Sequence, residues 1–287
     1  MTDFDYTTRR YLVLGKTGKT GRRVEQLLAK RGAQVTGLSR ITVPAFDWCD
    51  QTINWQHIFT GFDAIYVTYQ PDLAIPQAEA DITRLTVAAR QAGVKHIVLL
   101  SGRGEPGAQK AELIIAASGL HYHVIRASWF NQNFTEGFIA DMLQRGLVAL
   151  PKGDMPEPFI DANDIAEAVV NCLLEPEISA GVYEVTGPEL LTFKHCVSLL
   201  STHLGTQVQF VDMNIDDFLN QLKQVGFDDN TLWLMNTLFS EVLDGRNSHT
   251  TDSLQYLLLR KPTTFKTFLS RELPLLFEQT ESSELVE

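Results

Sequence analysis

Between Gly15 and Gly21 the chain reads GKTGKTG, three glycines spaced three apart with two lysines and two threonines between them. A turn of this composition opening a helix offers backbone N–H groups to a phosphate. Two phosphate chemistries compete for it. A nucleoside triphosphatase loop needs a further glycine five residues before the glycine that precedes the lysine. Those places hold Arg10 and Val13, so that reading fails. The dinucleotide reading fits. Gly15 allows the tight turn, Gly18 lets a pyrophosphate approach the backbone, and Gly21 lets the helix lie close to the strand. Lys19 and Thr20 share the turn and join the expected cofactor-binding set. A site that prefers NAD carries a carboxylate about 20 residues further on, for the ribose 2′-hydroxyl. Here the corresponding strand ends Leu38, Ser39, Arg40, and a guanidinium there suits a 2′-phosphate. NADP(H) is therefore the preferred cofactor and NAD(H) the second choice.

The elements that must position this turn follow a regular rhythm. The apolar run from Tyr11 to Leu14 precedes the turn, and Val24, Leu27 and Leu28 after it share one helical face. A third strand is expected over Val43–Trp48, with Asp47 either brought beside the adenine or starting a turn. Phe62–Thr68 reads as a strand buried on both faces. A helix over 75–92 stops at Gly93, Val94–Leu100 is a strand ending in Ser101, a helix spans 109–118, and His121–Arg126 is another strand. Such alternation predicts an α/β fold, a Rossmann-type doubly wound parallel sheet with ligands beyond the carboxyl ends of its strands.

Past Ser128 the rhythm changes. Phe134, Phe138 and Met142 form one helical face, while Trp129 and Phe130 directly follow a strand end and are placed to wall a pocket over the nicotinamide. A capped helix over 161–174, a strand at 182–185, a helix over 192–204, a short strand at 208–211 and helices near 214–225 and 228–244 complete the chain. The expected division is a dinucleotide-binding domain over 1–150, to which parts of 159–190 return, and a smaller, mostly helical substrate-covering lobe over 151–287. The polar, acidic stretch 278–287 is expected to fray.

Several chemistries drop out. The usual short-chain dehydrogenases pair a tyrosine with a lysine four residues later. The residues four beyond the seven tyrosines are Arg10, Gly15, Gln70, Leu73, Arg126, Gly187 and Arg260, so no such pair exists. Lys110 stands on the helix after Ser101, with Pro106 in the tyrosine's place. Lys110 and Ser101 are the candidate catalytic residues, each also able to hold the cofactor ribose. The seven histidines show no HExxH or comparable ligand spacing, so no metal is expected; His121 and His123 share a strand face and suggest packing or surface roles. A GxSxG elbow is absent, and three cysteines, Cys49, Cys172 and Cys196, form no CxxC.

A net charge of −11 with 44% hydrophobic residues describes a chain able to bury a large core and poorly suited to direct nucleic-acid binding. With no basic-then-apolar leader and no long apolar run, a soluble, cytoplasmic protein with no membrane partner is expected. Oligomeric state has no signature in the sequence.

The glycine turn, FDWCD at 46–50, AGVKHIVLLSG at 92–102, Lys110, SGLHYHVIRASWFNQNF at 118–134, FIDANDIAEAVV at 159–170 and VYEVTGPELLTF at 182–193 occur in one order. Together they resemble the NmrA-like branch of the atypical short-chain dehydrogenases/reductases, near the festuclavine dehydrogenase-like and NADPH-dependent quinone reductase-like groups. The resemblance implies that Gly15, Thr17, Gly18 and Gly21 hold phosphates and that Thr68, Tyr69, Gln70 and Pro71 line the cofactor. It also implies that Trp129, Phe130 and Asn133 face a pocket between domain and lobe, with Phe134 added from the same segment. Ala127, where proline commonly follows the arginine, and Ala108 and Gln109 before the lysine depart from the family pattern. The expected function is hydride transfer from NADPH to a small-molecule acceptor, a quinone, iminium or similar conjugated compound. The alternative is a non-catalytic NADP(H)-sensing regulator acting through a protein partner.

Overall fold

The structure, a computed structural model, describes residues 5–273. The expected fraying at 278–287 lies outside the described residues. The strands are β1 (Arg10–Leu14), β2 (Gln34–Leu38), β3 (Ala64–Val67), β4 (His96–Gly102), β5 (His121–Ala127), β6 (Leu147–Leu150), β7 (Gly181–Val185) and β8 (Gln209–Asp212). The α-helices are α1 (Gly21–Lys30), α2 (Trp55–Phe59), α3 (Gln77–Ala92), α4 (Pro106–Ala117), α5 (Phe138–Gln144), α6 (Ala162–Leu174), α7 (Phe193–Leu204), α8 (Ile215–Gln224), α9 (Asp229–Thr237) and α10 (Ser253–Leu258).

Two compact units divide the chain. The first takes the described residues from Asp5 to Ala127, then Ala162–Val185 and Asp252–Arg260. Its sheet has six parallel strands in the order β2-β1-β3-β4-β5-β7. The parallel, doubly wound reading is thus right. All four residues of β3 are buried, as a strand covered on both faces requires. Helix α1 buries Val24 and Leu28, and α3 ends at Gly93, whose φ of 87° makes the left-handed stop. Helix α4 begins at Pro106, earlier than the periodicity indicates, because proline is well accommodated at the first helical position.

The expected third strand is absent. Phe46 donates its N–H to the Ser39 carbonyl at 3.0 Å, and the Thr42 hydroxyl reaches Ser39 and Pro44 carbonyls at 2.8 Å each. Those bonds fold 39–46 back on itself, and Pro44 has no N–H for a ladder. Phe46 and Trp48, which mimic a strand's alternation, instead anchor the loop in an aromatic cluster with Trp55, Phe59 and Tyr69.

The second unit holds Ser128–Asp161, Thr186–Thr251 and the described residues from Lys261 to Leu273. Residues 128–150, placed with the dinucleotide domain by sequence rhythm, therefore lie in this unit, and 252–260 lie in the first. Its core gathers Phe134, Phe159, Phe193, Phe218, Phe239, Phe265 and Phe268. Strands β6 and β8 pair in parallel.

Candidate dinucleotide site

The glycine turn joins β1 to α1 and is braced from two sides. Gly15 has φ +84°, and a Cβ there would come within 2.1 Å of the Thr68 hydroxyl oxygen at the end of β3. That hydroxyl is held by the Leu14 carbonyl at 3.0 Å. A Cβ on Gly21 would lie 2.1 Å from the Gly15 carbonyl oxygen. Glycine is required at both places because the clashing partners are neighbouring backbone or a tethered side chain. Gly15 and Lys16 donate to the Leu38 carbonyl at 2.9 and 3.1 Å, tying the turn to β2. The backbone N–H groups of Thr17, Thr20 and Gly21 find no acceptor among the described residues. Three open donors at the positive end of a ten-residue helix are what a phosphate requires.

The side chains of the turn are divided between scaffold and surface. The Thr20 hydroxyl, 3% exposed, accepts from the buried Tyr66 hydroxyl at 2.9 Å, which spends it on the fold. Lys19 lends its carbonyl to Arg23 at 2.6 Å, and Lys16 pairs with Glu25 at 3.0 Å. At the end of β2, Arg40 is exposed and has no ion-pair partner among the described residues. Beside it the Ser39 hydroxyl is buried without a hydrogen-bond partner. An orphaned buried hydroxyl next to an unpaired guanidinium fits a polar, anionic group arriving from outside the protein.

The other expected cofactor contacts are distributed unevenly. Asp47 accepts from the Cys49 N–H at 3.0 Å in a local turn, so no strand end presents it. Tyr69 is buried, its ring centroid 4.7 Å from that of Trp48 and its hydroxyl donating to Asp81 at 2.7 Å; burial and that bond raise its pKa. Gln70 and Pro71 are exposed just past the end of β3.

Ser101 and Lys110 are not brought together. The Ser101 hydroxyl, 4% exposed, donates to Glu112 at 2.6 Å. Glu112 also accepts from both Nε and Nη2 of Arg126. Arg126 reaches Glu184 at 3.6 Å, which accepts from Arg103 at 2.7 Å. One buried network therefore fastens the ends of β4, β5 and β7 to α4. Lys110 points outward and pairs with Glu79 of α3 at 3.0 Å.

A pair of acids with no sequence signature of its own lies near these strand ends. Glu105 caps the start of α4 and lies across Gly102, where a Cβ would approach its Oε1 to 2.1 Å. Its carboxyl shares a hydrogen bond with Asp72, whose Oδ1 also accepts from the Ala74 N–H at 2.8 Å. Burial first, then the charge of Asp72, pushes Glu105 well above the ordinary carboxylate range; burial also raises Asp72. Both shifts favour the protonated form, and most strongly at Glu105. The only local signal was an acid directly before a helix-starting proline.

In the second unit, Asn131–Phe134 form one 3-10 turn. Phe134, expected at the pocket, is 2% exposed and packs on Phe159, Phe193 and Phe265, because the turn rolls it into the core. Trp129 sets its ring at 90° to Phe193 with centroids 5.2 Å apart. Phe130 and Asn133 are half-buried.

A parallel doubly wound sheet with an open glycine turn at the first strand's end defines the Rossmann class of dinucleotide-binding folds. More narrowly, the chain belongs to the NmrA-like family, whose model matches residues 7–269. A festuclavine dehydrogenase of Aspergillus fumigatus is 29% identical over 285 residues, covering 91% of this chain and 97% of that protein. Among solved structures, an NADPH-dependent quinone oxidoreductase of Escherichia coli in complex with NADPH superposes with a TM-score of 0.76 at 20% identity, covering 92% of this chain and 99% of that one. NmrA, a negative transcriptional regulator solved in complex with NADP, gives 0.71 at 15% identity, covering 96% and 98%. Among the described residues no helix is long and apolar enough to cross a membrane.

Proposed function

We propose that this chain binds NADP(H) at the Gly15–Gly21 turn and Arg40, and reduces a conjugated small-molecule acceptor such as a quinone or a cyclic iminium. The observation that carries the cofactor half is the exposed, unpaired Arg40 beside the orphaned Ser39 hydroxyl, with no carboxylate at that strand end. The open N–H groups of Thr17, Thr20 and Gly21 would hold the pyrophosphate, and Gln70 and Pro71 would flank the cofactor past β3. The bound nicotinamide would supply hydride. An acceptor that takes hydride directly needs the residues around it mainly for alignment.

Protonation then separates the acceptors. An iminium requires none, whereas a reduced quinone leaves an anion. Ser101 already donates to Glu112, and Lys110 is held outward by Glu79, so neither is the first source of a proton here. The Glu105 carboxyl, kept protonated beside Asp72 at the ends of β3 and β4, is. Lys110 and Ser101 act in this reading by position, the lysine at the cofactor's edge and the serine by orienting Glu112.

The engagement of both Ser101 and Lys110 also favours a second reading, in which the chain senses NADP(H) and acts through a protein partner. Oxidation of NADPH, followed by absorbance against quinones, enones and cyclic imines, separates the two. Acceptor-dependent turnover supports the reductase, with Lys110→Ala lowering it severalfold. Tight NADPH binding with no oxidation across the panel assigns the regulator.

A further inference from the structure

At the opposite end of the sheet from the glycine turn, three histidines converge. His96 opens β4, His121 opens β5 directly across from it in register, and His123 lies two residues along on the same face. Their ring centroids are 4.6, 5.0 and 4.9 Å apart. One ring nitrogen from each lies within 4.8 Å of the other two. His96 and His123 are buried and His121 is exposed, so the cluster has a protected floor and one open side.

We propose that His96, His121 and His123 form a site for a zinc-class divalent transition-metal ion, separate from the dinucleotide site. The hydrogen bonds prescribe the tautomers. His123 Nε2 lies 3.2 Å from the Ile178 carbonyl oxygen, which can only accept, so Nε2 carries the proton and Nδ1 presents a lone pair. His96 Nε2 lies 2.8 Å from that lone pair and is therefore the donor. His123 thus already has the arrangement of a metal-bound imidazole: an unprotonated ring nitrogen facing the cluster, now accepting from His96, and the other N–H fixed by a carbonyl behind it.

Binding would move the His96 proton from Nε2 to Nδ1 and open its contact with His123. Metal–nitrogen bonds of about 2.0–2.1 Å in a tetrahedron place ligand nitrogens roughly 3.3 Å apart. The present 2.8 Å must widen by about half an ångström, while the exposed His121 swings inward. Burial of His96 and His123 favours the neutral, ligating form of both rings. The set contains no carboxylate, so zinc, cobalt, nickel or copper suits it and magnesium or calcium does not. Three imidazoles leave the fourth position for water on the His121 side.

The test uses the full chain, stripped with chelator. Zn2+ titrated by calorimetry should bind at one equivalent per chain, and Co2+ should develop the visible bands of a tetrahedral centre. At a hundredfold excess over the dissociation constant, Zn2+ should raise the melting temperature by about 5–10 °C. His121→Ala removes only an exposed side chain and should fold, yet lose affinity at least tenfold. His203→Ala, at an exposed histidine of α7, should bind as the parent does. No stoichiometric binding by the parent chain, binding unchanged in His121→Ala, or an equal loss in His203→Ala would each overturn the proposal. Mg2+ in place of Zn2+ should give neither heat nor stabilisation, and equal binding of Mg2+ would also overturn it.

Discussion

At the C-terminal ends of β1 and β2 the fold leaves polar groups open, whereas at the ends of β4, β5 and β7 it closes them on one another. Among the described residues, the first region has backbone N–H groups without acceptors, an Arg40 without an ion-pair partner and a buried Ser39 hydroxyl with no hydrogen-bond partner. In the second, Ser101, Glu112, Arg126, Glu184 and Arg103 satisfy each other in one chain of hydrogen bonds and ion pairs. A buried hydroxyl such as that of Ser39 costs stability unless something binds it. A fixed, highly charged ligand can meet that cost at one end.

The closed region is where a substitution should do most damage. Glu112→Ala strips the acceptor from Ser101 and from a largely buried Arg126, whose side chain is 21% exposed. Removing one partner of a buried ion pair costs about 3–5 kcal/mol. Chemical denaturation should show a loss near that range, and a loss below about 1 kcal/mol would mean the network is not closed in solution. The open region predicts the reverse pattern. Arg40→Ala should leave stability within about 0.5 kcal/mol of the parent. NADPH affinity should fall about 10–100-fold, the worth of one or two charge-assisted bonds, while NADH affinity hardly changes. Equal losses for the two cofactors would remove the 2′-phosphate from the argument.

The same contrast decides how much was legible in the sequence. The glycine turn could be read because each glycine answers a local steric demand, at Gly15 from Thr68 and at Gly21 from Gly15 itself. The position of Arg40 could be read because it is set by the strand next to that turn. Ser101 was visible as a serine at a strand end, but the carboxylate that occupies it comes from the next helix, and no spacing rule announces Glu112. Asp72 and Glu105 meet only because the loop after β3 packs on the start of α4, where a Cβ on Gly107 would strike the Ala74 carbonyl at 2.1 Å. The false third strand at Val43–Trp48 arose from Phe46 and Trp48, whose alternation is the same whether they face a sheet's core or anchor a turn. Residues 252–260 return to the first unit without any periodic pattern to show it.

Between the open and closed regions sits the Asp72–Glu105 pair, and pH distinguishes its role from both. Glu105 has a folded-state pKa raised above its unfolded value, so its proton stabilises the fold at low pH. That contribution is complete below about pH 4, the unfolded glutamate range, and is lost as pH rises through the folded value. Glu105→Gln keeps the shape and a donor to Asp72 but cannot ionise. The variant and the parent should therefore melt together near pH 4 and diverge as pH rises, with the variant higher by about 2–4 °C at pH 8, the shift that roughly 1 kcal/mol produces in a chain of this size. If the proton also serves the acceptor, quinone reduction should fall in Glu105→Gln while iminium reduction does not. A parent that gains stability over the variant with rising pH would place Glu105 as an ordinary ionised carboxylate and move the proton source elsewhere.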